Sequence, residues 1–190
     1  ESTCGLSAGD SLTLYDLICG LLLQSGNDCA AAIAEHISGS QEAFAELMNT
    51  EAKQLGATGT HFVNPHGLHD ENHYTTTYDL YLMFNEALKD QAFLDIISMN
   101  SYTAKVTSAD GTSYTPTWQA TNYYSAGEAT PPDGIHVYGG KTGTTDQAGN
   151  CVILYEKNTA GEPYISVIMG ASDKPLLYEE MNELLDAGMK

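Results

Sequence analysis

Apolar residues recur at helical spacing through the first half of this chain and at alternate positions through much of the second. Leu14, Leu17, Ile18, Leu21 and Leu22 share one helical face. Thr13-x-x-Asp16 has the form of a capping box, in which side chain and backbone satisfy each other's free donors. Together they predict a helix ending near Gln24. Ser25-Gly26-Asn27-Asp28 then interrupts the pattern before a second, alanine-rich helix over residues 30–36. Serine, asparagine and aspartate are favoured in turns and at helix N-caps, so a turn followed by a cap accounts for the tetrapeptide without any chemistry. Ser40 caps a third helix with Phe44, Leu47, Met48 and Leu55 on one face, and Gly56 closes it. Residues 57–75 form a long loop, and loops of that length carry function or pack tightly. Thr76-x-x-Asp79 opens a fourth helix with Leu80, Phe84 and Leu88 on one side.

Beyond Ser98 the period changes to two. Residues 101–106 and 112–118 flank Asp110-Gly111, a strong hairpin signal. Residues 121–136 read as a loop rich in tyrosine, glycine and proline. A strand starts at Val137, further strands cover 151–155 and 164–169 around a turn at 158–161, and a last helix covers 176–185. Helices first, then antiparallel strands, then one helix is an α+β order rather than an alternating βαβ one. The chain reads as one domain over 1–190, mainly helical over 12–97 and mainly strand, with a C-terminal helix, over 98–190.

Charge narrows the function classes. Twenty-five acids against 7 bases leave a net charge of −18, and every base is a lysine; arginine is absent. No basic face exists for a nucleic acid or an anionic membrane surface. An anion must be captured locally, by a particular lysine or a helix N-terminus. No apolar run approaches the roughly 18 residues of a membrane span; the longest, Leu17 to Leu23, suits a buried helix. No signal peptide opens the chain, so the targeting segment of an exported protein would lie outside these residues. Cys4, Cys19, Cys29 and Cys151 lack metal-finger spacing and read as buried small apolar residues, which leaves the redox compartment open. His61, His66, His69 and His73 crowd one loop, but their spacing matches no strong metal motif, and neither metal nor cofactor is expected.

The most chemical stretch is Gly139-Gly140-Lys141-Thr142-Gly143-Thr144-Thr145. Glycines on both sides of the lysine let another backbone approach closely, because no Cβ stands in the way. Threonine hydroxyls beside an ammonium suit a small anion such as a carboxylate. Taken alone, the stretch is equally a glycine-rich turn between strands.

Three stretches taken jointly are specific. Ser25-x-Asn27 stands 116 positions before Lys141-Thr142-Gly143, and His61-Phe62-Val63-Asn64-Pro65-His66-Gly67-Leu68 lies between them. With Thr144-Thr145 and Ala148-Gly149 following, nearly the whole chain resembles the low-molecular-weight penicillin-binding proteins, the serine-type D-alanyl-D-alanine carboxypeptidases. The resemblance implies a β-lactamase/transpeptidase-like fold, an antiparallel sheet packed with helices. It implies acyl transfer through a serine ester on peptidoglycan stem peptides ending in D-Ala-D-Ala, and β-lactam binding in the complete protein. It also implies an extracytoplasmic location. In this family Ser25 would relay a proton toward the leaving nitrogen, Asn27 would hold the substrate backbone, and Lys141 would supply positive potential. Thr142 and Thr144 would receive the terminal carboxylate beside Gly143, and the Thr144 amide would form half of an oxyanion hole.

Two departures stand out. The family nucleophile is the serine of a Ser-x-x-Lys motif placed before Ser-x-Asn, and no Ser-x-x-Lys occurs in these 190 residues. Thr50-x-x-Lys53 falls after the Ser-x-Asn motif on an expected surface helix, and Ser101 and Lys105 are four apart; neither fits. The chain is therefore expected to lack the first strands and the nucleophile helix of the domain, to be inactive alone, and to self-associate through the face left open. The alternatives are a non-catalytic binder of cell-wall peptides and a β-lactamase-related hydrolase. Many relatives also use an arginine near the Lys-Thr-Gly strand for the carboxylate, which leaves Lys141 and its threonines to act alone here.

Overall fold

The capping box at Thr13 forms in the computed structural model, which describes residues 1–188. The Thr13 hydroxyl accepts from the Asp16 amide, and the Asp16 carboxylate accepts from the Thr13 amide. This box opens α1 (Leu14–Cys19), which widens into a π-helical turn over Gly20–Gln24. Next comes α2 (Asn27–Ser38), which starts ahead of the alanine run, so Asn27 is its first residue. The helices α3 (Gln41–Gln54) and α4 (Thr77–Ala87) carry the expected Ser40 and Thr76 caps. A further helix, α5 (Gln91–Ile97), is capped by Asp90 and was not among the predicted elements; 7 residues are too few for a helical period to stand out.

The expected single hairpin is divided. Strand β1 (Ser101–Thr103) and β2 (Val106–Thr107) pair respectively with β4 (Thr117–Gln119) and β3 (Ser113–Tyr114). The ladder breaks where Ala104 donates to the Pro116 carbonyl, because proline has no N–H to return. One helical turn, α6 (Tyr123–Ala126), lies inside the expected loop. The antiparallel sheet then runs β5 (Ile135–Thr145), β6 (Gly149–Asn158), β7 (Pro163–Ala171), in that spatial order, and α7 (Lys174–Gly188) follows.

Period two sorts the sheet between two cores. Val152 and Leu154 of β6 pack with Leu177, Tyr178, Met181 and Leu185 of α7. Ile153 packs on the other face with Phe84 of α4 and Ile97 of α5. A third cluster, including Leu17, Leu23, Cys29, Ile96 and Trp118, joins the helices to the small hairpins. Cys4, Cys19 and Cys29 are buried and Cys151 is half-buried. Leu47, expected on the inward face of α3, is instead 47% exposed. Small Ala45 and Ala52 are the buried residues of that helix, which lies against α2.

Helices and sheet meet at an unusually close backbone contact. A Cβ on Gly139 would lie 1.8 Å from the Ile97 carbonyl oxygen at the end of α5, and one on Gly140 would lie 2.0 Å from that of Ile153. The register of β5 against β6 shifts between Val137 and Gly139, so the strand bulges where α5 arrives. On the far side of the sheet, the outer edge of β7 pairs with no strand among the described residues.

One buried group is poorly matched to its surroundings. Glu156 is 1% exposed; Oε1 accepts from the Ser166 hydroxyl at 2.5 Å, and Oε2 has no partner. Burial pushes its carboxyl from an ordinary 4.5 up to about 7, despite the opposing Ser166 hydrogen bond. The native state therefore holds a proton that the unfolded chain releases at lower pH. The stabilisation is complete below pH 4.5 and is lost as pH rises to 7. A shift of that size corresponds to about 3 kcal/mol. Glu156→Gln is expected to flatten the fall in denaturation midpoint between pH 4.5 and 7 and to raise the midpoint at pH 8. A variant curve that superimposes on the parent's contradicts the assignment.

Candidate active site

The π-helical turn ends at Ser25 in the left-handed region, φ 59° and ψ 37°, alone among the described non-glycine residues. A β-carbon is disfavoured there, and such a conformation persists only where its surroundings hold it. Here the amides of Ser25 and Gly26 both donate to the Gly20 carbonyl. The Asn27 amide donates to the Ser2 carbonyl at 2.9 Å, and the Asp28 carboxylate accepts from the Cys4, Leu6 and Cys29 amides. An N-terminal strap is thus fastened across the start of α2. On its other side the turn meets the segment after β4, where the Thr121 amide donates to the Leu23 carbonyl at 3.2 Å.

Lys141 reaches this turn from the sheet. Its ammonium donates to Ser25 Oγ at 2.5 Å and to its neighbour's carbonyl, Thr142 O, at 2.7 Å. Burial lowers its pKa from 10.5 to about 8. The side chain therefore stays cationic at neutral pH and loses its charge in mild alkali. The Thr142 hydroxyl lies 2.7 Å from that of Thr121, which ties β5 to the same segment that holds Leu23. The Thr144 hydroxyl donates to Asn150 Oδ1 at 3.2 Å, so it must turn before it can serve a ligand. Gly143 has no atom within 4 Å of where its Cβ would stand. Its lack of a side chain thus keeps the cleft wall clear, whereas Gly139 and Gly140 admit backbone.

Ser25, Asn27, Lys141, Thr142, Gly143 and Thr144 all line one cleft of about 920 Å³. The residues of Thr50-x-x-Lys53, Ser101 and Lys105 do not. Thr50 instead sits exposed on α3 and donates to the Glu46 carbonyl. The long loop supplies part of the wall through His66, Gly67, Leu68 and His69. Asn64 shapes that turn, donating to the Leu68 carbonyl and accepting from the Gly67 amide. Burial lowers the pKa of His66 and His73. His61 Nδ1 meets the Asn72 carbonyl at 2.5 Å and His73 Nδ1 accepts from the Val63 amide, so both help to build the loop. The grouping of His, Cys, Asp or Glu that could hold a metal among the described residues lies elsewhere, at Cys4, Asp28 and Cys29.

Sequence reasoning missed one cation. Lys174, at the first position of α7, lines the same cleft, with its ammonium 5.7 Å from the Tyr123 ring centre. Lys141 is therefore not the sole positive charge available to an anion. No local pattern around Lys174 marks it; only the fold of β7 back along β6 brings it to the cleft.

Known proteins resemble the chain in both sequence and fold. The D-alanyl-D-alanine carboxypeptidase family matches residues 1–173. The D-alanyl-D-alanine carboxypeptidase DacF of Bacillus subtilis is 31% identical over 95% of this chain and 44% of its own length. DacC of Escherichia coli is 31% identical over 100% of this chain, again 44% of its own length. The chain thus spans less than half of these relatives. Among solved structures, the Streptomyces K15 DD-transpeptidase superposes with a TM-score of 0.89 at 28% identity, covering 100% of this chain and 72% of that one. The D-alanyl-D-alanine carboxypeptidase of Mycobacterium tuberculosis superposes with a TM-score of 0.84 at 28% identity, covering 98% and 68%. Matched along nearly its whole length in sequence and in three dimensions, the chain belongs to the family of serine-type D-alanyl-D-alanine carboxypeptidases and has their β-lactamase-like α+β fold.

Proposed function

We propose that these residues form the substrate-side half of a site that removes the terminal D-alanine from peptidoglycan stem peptides. The observation that carries the proposal is the 2.5 Å contact between Lys141 Nζ and Ser25 Oγ, which joins two motifs 116 positions apart. In acyl transfer, a nucleophilic oxygen attacks the carbonyl between the two D-alanines, and the leaving nitrogen must gain a proton. The Ser25 hydroxyl both donates and accepts, so it passes a proton to that nitrogen while Lys141 stabilises the negative charge that develops. Asn27 presents a carboxamide to the peptide edge. Thr142, Thr144 and Gly143 border the place of the terminal carboxylate, and the Thr144 amide would supply one half of an oxyanion hole. Lys174 adds the second positive charge, in the absence of arginine.

The nucleophile comes, in this account, from residues outside the 190. A peptidoglycan substrate supports an extracytoplasmic location for the whole protein. No described helix is long and apolar enough to cross a membrane.

Intact mass after incubation with a penicillin tests the assignment. The 190-residue chain is expected to gain nothing. The same domain extended by its native upstream residues is expected to gain one penicilloyl group, on a serine of the added segment, and Lys141→Ala should slow that labelling at least tenfold. An adduct on the 190-residue chain itself contradicts the split site. Silence in both proteins supports a non-catalytic binder of wall peptides instead. The outer edge of β7, which pairs with no strand among the described residues, supports the further proposal that the chain alone self-associates. Light scattering at micromolar concentration is expected to return more than the monomer mass of 20.4 kDa; a monomer contradicts this.

A further inference from the structure

A pair of thiols meets beneath the Ser25-Gly26-Asn27 turn and has no part in the chemistry above. Cys4 is 7% exposed and Cys29 is fully buried. Their sulfur atoms and a carboxylate oxygen of Asp28 all lie within 4.8 Å of one another. A Cβ on Gly20 would stand 2.7 Å from Cys29 Sγ and 2.8 Å from Cys4 Sγ. A Cβ on Gly26 would stand 2.5 Å from Cys4 Sγ and 3.3 Å from Cys29 Sγ. The sulfurs therefore occupy a space that two glycines leave open, one at the head of the π-helical turn and one inside the Ser-x-Asn motif.

A metal suits this place poorly. The Asp28 carboxylate is already engaged by the amides of Cys4, Leu6 and Cys29, and the grouping offers no fourth side-chain ligand. Two adjacent thiols have a simpler chemistry. We propose that Cys4 and Cys29 are a redox pair whose disulfide fastens the N-terminal strap to the Ser25-Gly26-Asn27 turn.

The oxidant is a protein disulfide or a low-molecular-weight one. The thiolate of one cysteine attacks the oxidant's disulfide, forming a mixed disulfide and releasing one thiol. The second thiolate then attacks the mixed disulfide, closes the Cys4–Cys29 bond and releases a second thiol. Two electrons and two protons pass to the oxidant, which leaves as two thiols. In the folded reduced protein this reaction is slow. Hydrogen bonding to Cys4, followed by burial, holds the Cys29 thiol far above its ordinary pKa and keeps thiolate scarce. The bond forms while the chain folds or opens locally, and burial then shields it from reduction. The ring it closes restricts the unfolded chain. In the folded state it backs the hydrogen bond from the Asn27 amide to the Ser2 carbonyl.

The test uses the 190-residue chain refolded in a glutathione buffer, once oxidising and once reducing, then unfolded in N-ethylmaleimide. Four adducts are expected on the reduced protein and two on the oxidised one, with a Cys4–Cys29 cross-linked peptide after digestion. Oxidation should also raise the thermal midpoint and slow hydrogen exchange at the Cys4 and Asn27 amides. The variant Cys19→Ser should retain the cross-link. Four adducts after oxidising refolding, a bond through Cys19 or Cys151, or unchanged exchange at Asn27 overturns the proposal.

Discussion

The cleft depends on how closely the end of α5 approaches β5. The two backbones touch there only because Gly139 has no side chain; a Cβ on it would fall 1.8 Å from the Ile97 carbonyl oxygen, and one on Gly140 would strike β6 at Ile153. Interiors are packed too densely to absorb such an overlap, so a larger residue would push helix and sheet apart. Lys141 follows directly on this contact, and its ammonium must cross from the sheet to the turn at Ser25. An outward shift at Gly139 would carry Lys141 away from the turn that its ammonium must reach. The glycines are thus part of the site although neither touches a ligand.

Burial of charge is the second theme. A chain with a net charge of −18 buries the Lys141 ammonium in the cleft wall and lowers its pKa to about 8. On the opposite side of the sheet it keeps a carboxyl whose pKa rises to about 7. Both shifts have the same cause, the loss of water around a charged group. Their settings differ. Lys141 has two hydrogen-bond acceptors, Ser25 Oγ and Thr142 O, and faces a cleft where an anion can enter. Glu156 has one donor and an unmet oxygen, which costs stability as pH rises and has no evident role in the cleft.

Much of this was legible in the chain wherever the signal is local. Capping at Thr13, Ser40 and Thr76 marks helix starts through side chains that reach only three residues. The unbroken apolar run from Cys151 to Tyr155 marks β6 as a strand covered on both faces. The six site residues Ser25, Asn27, Lys141, Thr142, Gly143 and Thr144 stand in the stretches that carry the resemblance to the carboxypeptidase family. What escaped depends on distant contacts. The α5 helix is too short to show a period, and the hairpin divides because a proline stands opposite Ala104. Leu47 reads as inward on pattern but turns outward because α3 meets α2 through alanines. Lys174 reaches the cleft only through the return of β7, and the Cys4–Cys29 pair only through the strap.

The most direct test of the account is the titration of the Lys141 ammonium, followed by side-chain NMR of the isotopically labelled chain. An ammonium buried against Ser25 and the Thr142 carbonyl should titrate near pH 8. A carboxylate-bearing D-alanyl-D-alanine peptide should move that midpoint upward, because a bound anion favours the charged form. A midpoint at the ordinary 10.5, unaffected by the peptide, would mean that Lys141 stands in open water and that the two motifs do not meet.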